Sequence, residues 1–290
     1  MAARGPAGPA PTGRGGTPVR QPRPTRPARE GRGRTPLALA AVAALTAPLV
    51  AGTTARAVEE PPEDRAQLPA DVLDLSDWKI TLPVGDDEAP TEIRQPELDT
   101  YAHDTFFTVT GTESGDAVRF RAPVNGVTTG GSSYPRAELR EMEPGGDDET
   151  EWSSTSGTHT MTVREAFTHL PEDKPHVVGA QIHGGDDDVT VVRLEGSELW
   201  ITEGDTAHHH LVTDDYELGT VFEISYVVSD GEIEVHYNGE LETTLEHDDP
   251  TNYFKAGAYT QANCENSAPC DEDNYGEVVI HELTVDHEDD

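Results

Sequence analysis

Residues 253–261, with the sequence YFKAGAYTQ, decide both the fold class and the position of the site. Read as a β-strand, this stretch directs alternate side chains to opposite faces. One face then carries Tyr253, Lys255, Tyr259 and Gln261, whereas the other carries a phenylalanine and two alanines. A row of cationic, phenolic and amide groups backed by an apolar row predicts a polar groove above a packed core.

Two further stretches, RAELR at 136–140 and QIH at 181–183, repeat this distribution. In each, the charged or amide side chains share one face and the apolar side chains share the other. We therefore expect the three stretches to be strands of one sheet and to line one groove. The polar members are Arg136, Glu138 and Arg140 in the first stretch, and Gln181 and His183 in the second.

Short strand patterns separated by turns continue from residue 71 to residue 290. Asp230-Gly231 and Asn238-Gly239 are strong hairpin signals. The only helical pattern is a short one at 90–98, and loops are expected at 84–104 and 203–220 over the groove. Many short strands without alternating helices predict an all-β fold, an antiparallel β-sandwich of jelly-roll type with a concave substrate groove. The expected strands are 105–110, 117–122, 137–142, 158–168, 176–183, 189–194, 198–202, 222–228, 232–237, 253–261 and 277–285.

The first 57 residues have the pattern of a secretory signal. A basic region precedes an apolar run at 37–50, and an A-x-A site at 55–57 places cleavage after Ala57. The run is short for a membrane span, so a retained anchor is the weaker alternative. No twin-arginine pair is present. Residues 58–70 are expected to be an acidic linker, and the mature protein is expected to be secreted, extracellular and free of the membrane.

The mature chain is strongly acidic. Removing nine Arg and one Glu with residues 1–57 leaves 11 basic and 55 acidic residues, a net charge of −44. Such charge makes the compact state repel itself, and salt screens the repulsion over a Debye length of about 3 Å at 1 M. We expect a salt-rich habitat. The acidity excludes general nucleic-acid binding, which needs a basic surface, and leaves few cations to contact a polyanion.

The remaining motifs are interpreted as structural or solvent-exposed features rather than as catalytic ones. Cys264 and Cys270 lie in an Asn/Ser/Pro loop of a chain expected to be secreted, so we expect a disulfide rather than a zinc site. The histidines at 208–210 are expected to lie on a solvated loop and to bind no metal. The acidic runs at 186–188 and 288–290 are expected to be solvated. Calcium binding at these acidic runs stays an open alternative because oxygen ligands are plentiful there, although no EF-hand spacing appears.

At these motifs the chain resembles the alginate lyases of polysaccharide lyase family 7. That family carries R-[ST]-E-[LV]-R, Q-[IV]-H and Y-F-K-A-G-x-Y-x-Q strands, and its opening is similar to residues 75–83, LSDWKITLP. The resemblance spans about residues 71–287. Ala137 departs from the family's Ser or Thr, but it lies on the face opposite the charged residues, so we expect it to alter packing more than chemistry.

The resemblance implies β-elimination on an anionic polysaccharide, alginate. In this scheme Arg136, Gln181 and His183 hold the uronate carboxylate, and His183 is also a candidate base. Tyr259 is the acid, and for one substrate epimer it is the base as well. No metal or other cofactor is required, and a monomer is expected. The residues that contact neighbouring uronates or orient the others are Arg140, Lys255, Glu138, Gln261 and Tyr253.

The family's Q-I-H variant accompanies guluronate-containing blocks, so Ile182 favours such blocks here. Three alternatives stay open from the residues. One is a lyase for another uronan such as glucuronan, because its carboxylate chemistry is the same. The second is a non-catalytic polyuronate-binding module. The third, a glycoside hydrolase, requires two carboxylates at the scissile bond, whereas Glu138 is the only acid in the motifs and two arginines would keep it ionised.

Overall fold

Fifteen β-strands and two 3-10 turns form the part of the chain that the computed structural model describes, residues 67–185 and 187–289. The expected leader and residues 58–66 lie outside it, as do Asp186 and Asp290. The 3-10 turns are Pro69–Asp71 and Leu98–Thr100. The strands are β1 Trp78–Asp86, β2 Ala89–Ile93, β3 Phe107–Thr112, β4 Gly115–Pro123, β5 Arg136–Glu141, β6 Thr158–His169, β7 His176–Gly184, β8 Asp187–Glu195, β9 Glu198–Glu203, β10 Thr206–Thr213, β11 Phe222–Ser229, β12 Glu232–Tyr237, β13 Glu240–Glu246, β14 Tyr253–Thr260 and β15 Tyr275–Glu288.

The strands pair into two antiparallel sheets, which we call the front sheet and the back sheet. The front sheet has eight strands in the order β10-β9-β8-β7-β14-β5-β1-β2, and the back sheet has seven in the order β13-β12-β11-β6-β15-β4-β3. The three motif strands β7, β14 and β5 are neighbours at the centre of the front sheet. The predicted all-β sandwich is confirmed.

Alternating burial along the strands builds the core between the sheets. Strand β11 alternates buried and half-buried residues over its whole length, as expected for a strand with one face against another sheet. Complete burial of a large apolar side chain contributes about 1.5–3 kcal/mol. The fully buried aromatic residues come from both sheets and are Phe107, Phe120, Phe167, Phe222, Phe254 and Tyr226.

Tight turns connect strands of the back sheet where the sequence predicts them. Asp230 and Gly231 have φ values of 53° and 80°, and Asn238 and Gly239 have 50° and 82°. These left-handed values suit the two-residue hairpin turns whose twist matches the flanking strands. The predicted bond between Cys264 and Cys270 is also present, in the loop that follows β14.

Two local predictions are wrong. Residues 90–98 do not form a helix, because 90–93 belong to β2, whose backbone pairs with β1, 95–97 form a turn, and the 3-10 turn begins only at Leu98. The histidines at 208–210 lie on β10 rather than on a loop. Parts of both segments that were expected to be groove loops therefore belong to β2 and β10, the two edge strands of the front sheet. Within residues 67–185 and 187–289, no helix is long and apolar enough to span a bilayer.

Candidate active site

Register across the front sheet brings the three motifs side by side. Lys255 of β14 pairs with Arg140 of β5 on one side and with Gln181 of β7 on the other. Tyr259 pairs with Arg136, and Tyr253 pairs with His183. Directly opposed residues on neighbouring strands point to the same face. The polar rows predicted from three separate stretches thus form one surface on the outer face of the front sheet.

This surface forms a cavity of about 350 Å³, which we call the central pocket. Its walls are mostly polar, and both charge signs are represented. Seven of the nine site residues predicted from the sequence motifs line it, whereas Glu138 and Gln261 do not. The lining residues are Lys79, Thr81, Glu92, Thr129, Gly131, Ser132, Arg136, Arg140, Glu149, Gln181, His183, Asp187, Asp188, Tyr253, Lys255 and Tyr259.

Glu138 lies beneath the central pocket and holds three of its residues together. Its side chain is only 1% exposed, and Oε2 lies 2.6 Å from Lys255 Nζ and 3.3 Å from an Arg136 guanidinium nitrogen. Oε1 accepts a hydrogen bond of 2.5 Å from Gln181 Nε2. Burial acts to raise the pKa of Glu138, but the charges of Lys255 and Arg136 outweigh burial and lower it. Glu138 is therefore an ionised orienting group rather than an open contact for a ligand.

His183 is a neutral imidazole at the edge of this cluster. Burial and the nearby charge of Lys255 lower its pKa to about 4. Its ring stacks on Tyr253, with centroids 5.0 Å apart, and Arg140 lies over the same tyrosine ring at 4.0 Å. His183 Nδ1 is buried without a hydrogen-bond partner among the described residues. Stacking on Tyr253 holds the ring in place. Because the imidazole is neutral, one of its ring nitrogens can accept a proton.

Tyr259 lies at the opposite side of the pocket from Tyr253. Its hydroxyl is 2.9 Å from Ser132 Oγ, and the Arg136 guanidinium lies 3.9 Å from the centre of its ring. The phenol is thus fixed by a hydroxyl partner and stands beside a cation. Such a group can transfer a proton to or from a bound molecule.

A second charged cluster lies at the β1–β2 end of the pocket, and the motif reasoning did not find it. Lys79 Nζ lies 2.8 Å from both Glu92 and Glu149 carboxylate oxygens, and Arg94 contacts the same two carboxylates. Arg140 reaches Glu149 at 3.5 Å. Lys79 lies between the apolar residues Trp78 and Ile80 in the opening stretch. This alternation was the local signal that could have placed Lys79 on the polar face of a strand. Both glutamates come from segments without a motif.

A second cavity of about 250 Å³, the side pocket, adjoins the central pocket on the β8–β9 side. Tyr259 and Asp188 line both cavities, and Gln261 lines only the side pocket with Arg193. Asp188 corrects the expectation of a solvated acidic run. It is half-buried, and burial together with Asp187 raises its pKa to about 6.

Each histidine at 208–210 has an acidic neighbour. His208 Nε2 lies 3.0 Å from Glu195, and His209 Nδ1 lies 3.0 Å from Glu203. His210 Nε2 lies 2.9 Å from Glu242 of β13, so this contact joins the edge strands of the two sheets. The three side chains do not converge on one point.

The fold and the central pocket together define a β-sandwich protein with a polar, partly cationic pocket on its front sheet. Cations, an amide, a neutral imidazole and a phenol line the pocket, together with four carboxylates. Glu92 and Glu149 contact Lys79, and Asp187 and Asp188 are neighbours on β8. Such a set can neutralise a carboxylate and move a proton.

Comparison with known proteins agrees. The family model described as alginate lyase matches residues 73–287. A solved alginate lyase from Corynebacterium sp. is 60% identical over 77% of this chain and 99% of its own, with a TM-score of 0.74. The alginate lyase AlgAT5 of polysaccharide lyase family 7 is 51% identical over 77% and 100%, with a TM-score of 0.72.

A more distant structure is that of alginate lyase A1-II′ in complex with a substrate designated GGMG, with one histidine replaced by asparagine and one tyrosine by phenylalanine. It is 28% identical over 77% of this chain and 98% of its own, with a TM-score of 0.61. No curated protein sequence matches the chain. The chain belongs to the alginate lyases of polysaccharide lyase family 7. It is a polysaccharide lyase.

Proposed function

We propose that this protein cleaves alginate by β-elimination in the central pocket. The observation that carries the proposal is the placement of His183 and Tyr259 in one cavity with Arg136 and Gln181. The proton at C5 of a uronate is next to a carboxylate whose negative charge opposes carbanion formation. Arg136 and Gln181 are preorganised by Glu138 to hold that carboxylate, and neutralising it stabilises the charge that develops.

The reaction then needs a base and an acid. The base takes the C5 proton, the electron pair forms the C4–C5 double bond, and the C4–O bond breaks. Tyr259 gives its proton to the leaving oxygen. His183, neutral because burial lowers its pKa to about 4, is the base when its ring nitrogen faces C5, and Tyr259 takes both roles for the other epimer.

Arg140 and Lys255 extend the cationic surface beyond the reacting sugar, and Arg can bind a carboxylate bidentately. We infer a preference for guluronate-containing blocks. The Q-I-H motif with Ile182 supports it, as does the complex of A1-II′, a relative 28% identical to this chain, with a product designated GGG.

We further propose that the mature protein is a secreted monomer adapted to salt. The signal-like residues 1–57 and the net charge of −44 that remains after their removal support this proposal. Because salt screens repulsion among carboxylates, the melting temperature should rise steadily between 0.1 M and 2 M KCl. Size-exclusion chromatography with light scattering measures the molar mass in solution and so tests whether the protein is a monomer. A melting temperature that is independent of salt would contradict the adaptation.

Absorbance near ~235 nm tests the reaction, because the unsaturated uronate formed by elimination absorbs there. The mature chain is mixed with polyguluronate, polymannuronate and glucuronan, beside Tyr259→Phe and the matched control Tyr237→Phe, whose tyrosine lies on the back sheet. A rise on an alginate block that Tyr259→Phe alone abolishes supports the proposal. A rise only on glucuronan favours the other-uronan alternative. Binding without any rise, in folded protein, favours the binding module.

A further inference from the structure

One buried acid plays no part in the mechanism above. Glu165 lies on β6 in a row of core-facing residues that alternate with half-buried ones. Its side chain is 0% exposed, and neither carboxyl oxygen has a hydrogen-bond partner among the described residues. A glutamate in such a row is unusual, because buried charged groups are almost always paired. The other members of the row are His159, Met161, Val163 and Phe167.

The carboxyl group of Glu165 crosses the core and contacts the motif strand β7 at Gly179. A Cβ atom added to Gly179 would collide with the carboxyl oxygens and lie 2.8 Å from Glu165 Cδ. The glycine thus leaves a space in the inner face of the front sheet, and the acid of the back sheet fills it. The contact lies two residues before Gln181 and four before His183.

Gly179 also marks a bulge that sets which way the catalytic side chains point. The register of β7 with β8 shifts between Val178 and Ala180, where β7 has one residue more than β8. Its register with β14 also shifts there, but in that pair β14 has the additional residue. Val178 lines the side pocket on the outer face, whereas Ala180 belongs to the core. Strict alternation from Val178 would turn Gln181 inward. The extra residue at Gly179 restores the outward direction of Gln181 and His183.

The surroundings of Glu165 favour its neutral form. Strand β11 presents Phe222 and Tyr226, and β15 presents Ile280, so no cation faces the carboxyl group from either strand. Burial raises the pKa of the nearby phenols Tyr226 and Tyr216, and the charge of Glu165 adds to this effect only when Glu165 is ionised. Burial raises the pKa of Glu165 itself to about 8.

We propose that Glu165 is a positioning residue that supports the Gly179 bulge and thereby directs Gln181 and His183 into the central pocket. The inference rests on the proposed function for its kinetic readout, but the contact and the bulge do not depend on it. A small shift of β7 would misplace two catalytic groups at once, and misplacement of about 1 Å can cost about 100-fold in rate.

A double-mutant cycle tests the contact. Gly179→Ala introduces the collision, and Glu165→Ala removes the support, so each should lower kcat about tenfold with little change in KM, because Arg140 and Lys255 lie on other strands. In Gly179→Ala/Glu165→Ala the added methyl occupies space that the carboxyl vacates, and kcat should recover to within about threefold of the wild type. Additive losses would overturn the proposal.

Two variants make the test specific. Glu165→Gln keeps the shape without a charge and should retain wild-type kcat at pH 7. Gly276→Ala is the matched glycine control, because its Cβ would lie 2.5 Å from Thr260 Oγ1 and from Val177 Cγ2 but away from Glu165. It should show no coupling to Glu165→Ala. If Glu165→Ala loses thermal stability but keeps the wild-type kcat, Glu165 is an ordinary core residue and the positioning role is contradicted.

Hydrogen exchange separates this proposal from the proposed function. If the wild-type chain cleaves no uronan, the proposed function fails and kcat cannot be compared among the variants. The exchange rates of residues 176–184 still report the bulge, and they should rise in Gly179→Ala and Glu165→Ala and fall back in the double variant. Unchanged exchange in both single variants would overturn the positioning role by itself.

Discussion

Glu138 and Glu165 are both fully buried glutamates next to strand β7, yet Glu138 is ionised and Glu165 is neutral at pH 7. Glu138, on the outer side of the front sheet, contacts Lys255, Arg136 and Gln181. Glu165, between the sheets, has no hydrogen-bond partner in the part of the chain that the structure describes. Burial acts to raise the pKa of both carboxyl groups. Cations reverse the effect for Glu138, whereas nothing opposes it for Glu165, whose pKa rises to about 8.

The comparison teaches that burial alone does not decide protonation in this sandwich. The face of the sheet decides it, because every motif cation projects outward and none reaches the core. An ionised carboxylate can therefore orient Arg136 and Gln181 from below the pocket, while a neutral acid can support the same strand from behind. Four predictions test this contrast.

The largest effect is expected for Glu138→Gln. Removing the charge leaves Lys255 and Arg136 buried side by side without a counter-ion, and breaking a buried pair costs about 3–5 kcal/mol. Activity should also fall about 100-fold because Arg136 and Gln181 lose their common partner. Urea denaturation and the absorbance assay measure the two effects. The control is Glu149→Gln, a half-exposed carboxylate that should cost less than about 1 kcal/mol; equal costs would break the contrast.

The second prediction concerns the pH dependence of stability. Unfolded Glu165 loses its proton near pH 4, whereas the folded group keeps it until about pH 8. Glu165 therefore lowers the free energy of unfolding by up to about 1.4 kcal/mol for each pH unit between pH 5 and pH 8, and no further above that. Urea denaturation of wild type and Glu165→Gln at each pH should show this slope only in the wild type. Parallel curves would mean that Glu165 is ionised when folded.

The third prediction concerns Lys255. Burial and the charge of Arg136 lower its pKa to about 8, despite the opposing effect of Glu138. The charged fraction of the free enzyme therefore falls as the pH rises through 8, and KM should rise about tenfold per pH unit above it. Lys255→Arg keeps the charge and should show a flat KM over this range. A KM that rises equally in both enzymes would assign the effect to another group.

The smallest effect is expected at the sheet edges. His210 of β10 contacts Glu242 of β13, and both side chains are partly exposed. Exposed ion pairs contribute about 0–1 kcal/mol, so His210→Gln should lower the free energy of unfolding by less than about 1 kcal/mol at pH 6. His236→Gln is the control, because Glu234 lies on the same strand and the pair joins no elements. A larger loss in the control would contradict a role in joining the sheets.

Much of the fold and most of the pocket could be predicted from local pattern. Alternation along 253–261 fixed which side chains share a face, and Asp230-Gly231 and Asn238-Gly239 fixed two hairpins. The errors arose where pattern is ambiguous. The histidines at 208–210 lack apolar alternation because β10 is an edge strand with little burial. Within residues 90–98, the end of a strand, a turn and the start of a 3-10 turn follow one another, so no single period applies.

The cluster of Lys79, Arg94, Glu92 and Glu149 was beyond prediction for a related reason. Its members are up to 70 residues apart in the chain and meet only because β1 and β2 close one end of the front sheet. Glu165 carried a local signal, an acid in a core-facing row, and Gly179 carried another, a glycine inside a strand. Neither signal identifies the other residue as its partner.

The sequence by itself determined the β-sandwich, the family and seven of the side chains that line the pocket, because strand alternation and turn chemistry act over a few residues. The sequence already indicated an ionised Glu138, but only the tertiary structure decided that Lys255 and Arg136 are its partners beneath the pocket and that Glu165 is neutral behind it. Protonation depends on which charges lie within a few ångströms, and pairing of distant strands sets those distances. The bulge at Gly179 belongs to the same category, since its direction is fixed by two neighbouring strands and by an acid from the opposite sheet.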